Sequence, residues 1–177
     1  MIAYGSTVGE EDRVAFVDHV RRHDERLRAL AYKMLLGDWA RMEDVLQDAY
    51  LRAFRSYEGF RSESDAGTWL HRVVYNACLD ELRRGRRRDE LTGAAQLVFS
   101  RRGGPPGPER TAEARDTVLR ALATLPADQR ATVLLVDGEG FDNVTAASVL
   151  GVAPGTVASR LSRARAALRA VLAEEDQ

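Results

Sequence analysis

Residues 142–172, DNVTAASVLGVAPGTVASRLSRARAALRAVL, restrict the fold more than any other stretch, because they spell two short helices around a fixed turn. Asp142 is placed to cap the first helix, which runs to Leu150. Gly151 supplies the tight turn, and Pro154 opens a second helix at a position that tolerates its missing N–H. Val157, Leu161, Ala164 and Leu168 then recur as one apolar stripe. Gly155, Thr156, Ser159, Ser162 and Arg163 fall on the opposite side, flanked by Ala158 and Arg160. Small hydroxyl residues and arginines at the start of a second helix suit entry into a DNA major groove. A surface helix pair with a solvated basic face fits the same residues, and this stretch alone leaves both readings open.

Helical periodicity runs through the rest of the chain. Arg13–Leu36 carries Val14, Val17, Val20, Leu27, Leu30, Ala31, Met34 and Leu35 between charged residues. Ala40–Tyr57 aligns Val45, Leu46, Ala49, Ala53, Phe54 and Tyr57, and a loop, GFRSESDAG, follows at 59–67. Asp65 or Thr68 can cap the next helix, Trp69–Arg84, with Leu70, Val73, Val74, Ala77 and Leu82 inward. The segment RRGGPPGPER at 101–110 is too rich in Gly and Pro for a helix and reads as a linker. Helices Ala112–Leu125 and Ala127–Asp137 lead from it to the helix-turn-helix. No sustained period-two alternation appears, so strands are not expected. The expected fold is all-α: two small helical domains joined by a flexible linker, the C-terminal one containing the helix-turn-helix. The expected boundaries are a tail at 1–12, a first domain at 13–92, a linker at 93–111 and a second domain at 112–177.

The net charge of −1 gives no global basic field, so nucleic-acid binding has to rest on local charge. Arg72, Arg83, Arg84, Arg86, Arg87 and Arg88 crowd the end of the third helix, and Arg160, Arg163, Arg165 and Arg169 the last one. Cys78, the single cysteine, excludes an intramolecular disulfide and reads as a small buried residue. Gly-rich phosphate loops, nucleophile elbows and paired thiolates are absent, so no catalytic residue is assigned and the chain is not expected to be an enzyme. His19 and His23 share a helix face, but Arg21, Arg22 and Arg26 around them repel a cation, so no metal site and no cofactor are expected. Neither a secretory signal nor a membrane-spanning run is visible, which points to the cytoplasm and to no membrane insertion.

Trp69 follows a polar loop and precedes an arginine run. Such an aromatic can stack on an unpaired base while arginines hold phosphates, or it can be a core residue. Together these residues resemble a family, the extracytoplasmic-function sigma factors of bacterial RNA polymerase. MEDVLQDAYLRAFRSYEGFRSESDAGTWLHRVVYNACLDELRR is similar to the family's second sigma domain. LPADQRATVLLVDGEGFDNVTAASVLGVAPGTVASRLSRARAALR is similar to its fourth, and the two stand in family order on either side of the linker.

The resemblance implies an alternative sigma factor that binds core RNA polymerase and directs promoter recognition, DNA melting and transcription initiation. It implies polymerase docking at Gln47, Asp48, Leu51 and Arg52. The loop residues Phe60, Arg61, Ser62, Glu63, Ser64 and Asp65, with Thr68, Trp69, Arg72, Asn76, Arg83 and Arg84, would bind the minus-10 element. Thr156, Ser159, Arg160 and Arg163 would bind the minus-35 element, with Arg160, nearer the helix start, the first choice for a base edge. Ala158 stands where the family often has Lys, one phosphate contact fewer. Core polymerase and promoter DNA are the implied partners, an anti-sigma factor is common in the family, and the chain is expected to be a monomer on core. A stand-alone helix-turn-helix regulator would explain residues 142–172 but would leave the second helix and the Trp69 loop without a role.

Overall fold

The computed structural model describes residues 9–57, 65–92 and 109–175, all helical apart from short connections. The helices are α1 (Glu10–Met34), α2 (Trp39–Ser56), α3 (Ala66–Thr92), α4 (Glu109–Ala123), α5 (Ala127–Val133), α6 (Asn143–Leu150) and α7 (Pro154–Glu175). The loop residues Phe60 to Ser64 and most of the expected linker lie outside the described residues.

Three helices start or end beyond the apolar periodicity, two of them for electrostatic reasons. α1 begins at Glu10 rather than Arg13, because Glu10, Glu11 and Asp12 meet the positive end of the helix dipole. α3 starts at Ala66, where Asp65 Oδ2 accepts the Thr68 N–H at 3.1 Å. It does not stop in the arginine run but continues through it to Thr92. Arginine is a good helix former, and Arg83 and Arg84 reach back one turn to Asp80 and Glu81. α4 begins at Glu109, inside the stretch expected to be linker.

α1, α2 and α3 pack as a bundle around Leu27, Leu30, Met34, Met42, Leu46, Leu70 and Val74. Phe16, not Val14 or Val17, continues the inner stripe of α1, and its ring meets Phe54 and Tyr57 edge-on at 5.3 Å each. Val14 and Val17 lie off that line and are 59% and 42% exposed. The α1–α2 turn uses left-handed backbone at Leu36 (φ 56°) and Gly37 (φ 85°). A side chain at Gly37 would also strike Leu119 of α4, 2.8 Å from where its Cβ would stand.

The C-terminal helices close on Leu135, Val149, Val157 and Ala164. Asp142 Oδ1 accepts the Thr145 N–H at 2.7 Å, and Gly151 turns at φ 67°, as the sequence expects. α5 widens into a π-turn at Leu134–Gly138, closed by the Glu139 N–H on the Leu134 carbonyl at 2.9 Å. That wide turn carries Glu139 and Phe141 toward the N-terminal bundle. α6 lies against α3, and α1 meets α5 and the π-turn, so the two groups of helices are packed on each other.

Candidate nucleic-acid interface

The exposed side of α2 presents Gln47 and Leu51, the latter 49% exposed among polar neighbours. Beside them Arg52 bridges two carboxylates, Asp48 at 2.6 Å and Asp80 of α3 at 3.2 Å. Those hydrogen bonds raise the Arg52 pKa, so the cation is committed to its neighbours. The acidic look of α2 in the sequence is thus partly neutralised in space, since Glu43 also pairs with Arg28, itself bound to Asp24. Leu51 remains an exposed apolar side chain, uncovered among the described residues.

On α3, Trp69, Arg72, Asn76 and Arg83 recur at spacings of three, four and seven residues and share one side of the helix. Arg72, Asn76 and Arg83 are exposed and Thr68 is half-buried. Trp69 is half-buried too, its ring tilted against Tyr57 with centroids 6.2 Å apart. It is neither a core residue nor a free platform: the bundle holds one part of the ring and solvent meets the rest. Arg84 turns away from this side, with Nε 3.6 Å from Glu81 Oε2. Arg87 falls on the same line as Arg83 and extends the basic stripe by one turn.

α7 separates the arginines that the sequence groups together. Ser159 and Arg163 are exposed one turn apart, and Thr156 is half-buried just before them. The Ser159 hydroxyl donates to the Thr156 carbonyl at 3.0 Å, and Arg163 Nε to the Ser159 carbonyl at 3.3 Å. Arg160 turns back toward α5, its Nε 3.0 Å from Asp128 Oδ2, and its side chain is only 21% exposed. Arg165 is paired with Asp137 at 2.5 Å.

Four further polar residues tie the two groups of helices together, none of them assigned such a role from the sequence. Arg130 is buried and donates to the carbonyls of Leu122, Leu125 and Met34. Arg26 of α1 donates through Nε to Glu139 Oε2 at 2.7 Å and through Nη2 to the Glu139 carbonyl at 2.5 Å. His71, 1% exposed, hydrogen-bonds the Gly67 carbonyl through Nδ1 at 2.7 Å and turns Nε2 toward Glu139 Oε2 at 3.5 Å. Burial alone would raise the Glu139 pKa, but His71 and Arg26 outweigh it and hold the carboxyl below its ordinary value. The available sequence signal is His71 placed directly after the buried Leu70; Arg130 follows Asp128 and Gln129 and gives none.

Comparison with known proteins covers both groups of helices. Residues 19–88 match the family Sigma-70 region 2, and residues 115–168 match Sigma-70, region 4. The chain is 41% identical over 163 residues to the ECF RNA polymerase sigma factor SigM of Mycobacterium tuberculosis, covering 91% of this chain and 79% of that protein. It is similar to the sigma factor RpoE of Bartonella quintana, solved with the anti-sigma factor NepR, with a TM-score of 0.74 and 28% identity. That match covers 89% of this chain and 96% of RpoE. CnrH, solved with the cytosolic domain of CnrY, matches with a TM-score of 0.69 and 25% identity over 92% of this chain and 90% of its own.

Proposed function

Because the chain belongs to the extracytoplasmic-function sigma factors of the sigma-70 family, we propose that its exposed faces divide the work of initiation among three surfaces. The protein is an alternative sigma factor that binds core RNA polymerase and directs promoter recognition. The observation that carries the residue-level reading is the alignment of Trp69, Arg72, Asn76 and Arg83 along one side of α3. An aromatic followed by amide and guanidinium groups suits a strand that is opening, with the base stacked and the phosphates held. This stripe, with the preceding loop, takes the minus-10 element. The exposed side of α7 takes the minus-35 element. Both act by binding, and the family is not one of enzymes. A stand-alone regulator is not favoured, since region 2 would then have no use.

Residues 13–92 and 112–177 act as the two working units, and one copy serves each polymerase. RpoE is solved with the anti-sigma factor NepR and CnrH with the cytosolic domain of CnrY, and an anti-sigma partner is proposed for this chain. Action in the cytoplasm belongs to the same reading, and no single helix among the described residues is long and apolar enough to cross a membrane. Transcription in vitro with purified core polymerase tests the function directly. New start sites should appear on genomic fragments only when the protein is added, and none appearing would refute it.

Docking on polymerase rests on Gln47 and Leu51 as contacts, with Asp48 and Arg52 holding each other in place. An exposed ion pair contributes little by itself, whereas an apolar side chain that becomes covered is worth about 1.5–3 kcal/mol. Leu51→Asp should therefore weaken core binding about tenfold or more without lowering the melting temperature of the free protein. Equal core affinity for this variant, measured by fluorescence anisotropy, would remove α2 from the interface.

The minus-35 reading rests on Arg163 rather than Arg160, because Arg160 is already engaged by Asp128. Losing a base-reading arginine costs about 1–3 kcal/mol and relaxes preference at one base pair. Arg163→Ala should do this on a library of single-base promoter variants, while Arg160→Ala should weaken all sequences alike. The reverse pattern would return the base contact to Arg160.

A further inference from the structure

We propose that Asp128 of α5 is a specificity-determining residue for the minus-35 element, which acts by holding Arg160 at the flank of α7 and so keeps its guanidinium off the base edges. The proposal rests on the assignment of α7 to that element. It also goes beyond it, because Asp128 stands on another helix, belongs to none of the promoter-reading surfaces and acts only through Arg160.

Asp128 is fixed in place before it meets its partner. It stands in the first turn of α5, where the helix dipole favours a negative charge. Its Oδ1 accepts the Gln129 N–H at 2.9 Å, and Oδ2 stands 3.0 Å from Arg160 Nε. The turn that carries it is constrained as well, since the buried Thr132 donates its hydroxyl to the Asp128 carbonyl at 2.7 Å. Arg130, two residues further on, is buried and anchored on three carbonyls. A carboxylate mounted so firmly on its own helix decides where the guanidinium stands. The pair is partly open to water, with side chains 21% and 44% exposed, so it adds little to folding. Its effect lies in position.

The arginines of α7 are thereby sorted. At 3.6 residues per turn, Arg160 lies about 40° around the helix from Thr156 and about 60° from Arg163. A released side chain there borders the same DNA groove. An arginine reads guanine with two donors of its fork, on O6 and N7. Asp128 occupies the Nε edge of that fork and draws the side chain toward α5. Arg160 is then suited to a phosphate, a contact that positions the helix and carries no sequence information. Arg163 is exposed, has no carboxylate partner among the described residues and is steadied through Nε on the Ser159 carbonyl at 3.3 Å. Arg165 repeats the arrangement of Arg160, with Nη2 2.5 Å from Asp137 Oδ1. Acidic residues of the segments before the helix-turn-helix thus take two arginines away from base reading, on a helix that carries four.

The test uses the full chain assembled with core polymerase. Affinity is measured on a library of duplex promoters that differ at single positions of the minus-35 element. Asp128→Asn is the principal variant: its amide oxygen keeps the Gln129 N–H, while its NH2 group meets Arg160 donor to donor and releases it. This variant should gain a preference for guanine of at least about fivefold at one position where the parent has none. Asp128→Ala, which removes both oxygens, should show the same gain. Adding Arg160→Ala to either should erase it, and Asp128→Glu, which restores a carboxylate, should keep the parent profile. A merely structural role would weaken all sequences alike and leave the profile unmoved.

An unchanged profile in both Asp128→Asn and Asp128→Ala overturns the proposal. A gain that survives the addition of Arg160→Ala overturns it too, since loss of the charge alone would then act on the DNA. Arg163→Ala is measured in parallel. A parent profile in that variant would defeat the assignment of α7 to the minus-35 element, a failure separate from the other two.

Discussion

Replacing Trp69 by alanine should slow the opening of duplex promoter far more than it weakens the first, closed complex. The loss of a base–aromatic stack costs about 1–3 kcal/mol, roughly five- to 150-fold in the melting equilibrium. Folding suffers less. A fully buried aromatic costs about 3–5 kcal/mol on truncation to alanine, but Trp69 is half-buried and leans on Tyr57 with the tilt of a supported platform. About half of that penalty is expected, and the bundle survives because Leu70 and Val74 of the same helix are fully buried. Pre-melted promoter templates should restore much of the activity of Trp69→Ala, and Trp69→Tyr should retain most of it on duplex. If pre-melted templates give no rescue and the N-terminal helices unfold, Trp69 is a core residue, and base capture falls to the loop before it.

The parts of the fold that depend on repeating apolar positions were legible in advance. Val45, Leu46, Ala49 and Ala53 on α2, and Val157, Leu161 and Ala164 on α7, are all buried as their spacing requires. So were the punctuation marks at Asp142, Gly151 and Pro154, since each has a single local cause. Helix ends set by charge were less visible. The first turn of α1 and the last turns of α3 carry almost no apolar residues, so periodicity stopped short where dipole and ion-pair effects carried the helix on. Val14 and Val17 misled for another reason: Phe16 wins the inner position by meeting two aromatic rings at once.

The site was legible as composition but not as allocation. The sequence showed arginines crowded on α3 and α7 without showing which of them were already spent. Arg160 on Asp128 and Arg165 on Asp137 depend on partners 32 and 28 residues away, which no local pattern reveals, whereas Arg84 on Glu81 and Arg52 on Asp48 are one-turn pairs that the spacing allows without fixing. Arg72 on α3 and Arg163 on α7 stay exposed on the outward side of their helices, without a carboxylate partner among the described residues. The contacts between the two groups of helices were invisible for the same reason, because a π-turn has no sequence signature and it alone delivers Glu139 to Arg26.

Arg130→Met should cause the largest loss of stability of any single polar substitution in the C-terminal helices. Arg130 is 6% exposed, and its three nitrogens reach the carbonyls of Leu122 at 2.9 Å, Leu125 at 3.1 Å and Met34 at 2.8 Å. All three lie at or just beyond the C-terminal ends of α4 and α1, where the dipole favours a cation and carbonyls fall short of full helical pairing, although Leu122 also takes the Leu125 N–H at 3.2 Å. Burial pushes the guanidinium pKa down to about 10, still far above neutral, so the group remains charged under working conditions. Methionine fills a similar volume but donates nothing. Each stranded carbonyl then costs about 1–3 kcal/mol, offset in part because the cation no longer has to be desolvated. A net loss of about 3 kcal/mol is expected, which lowers the melting temperature by roughly 6–12 °C in a chain of this size. Arg130→Lys should fall between the two, since one ammonium keeps the charge but cannot span three acceptors in a fixed plane. Calorimetry on the full chain decides the matter. An unchanged melting temperature for Arg130→Met would mean that water satisfies these carbonyls as well as the guanidinium does, and that the helix ends do not need it.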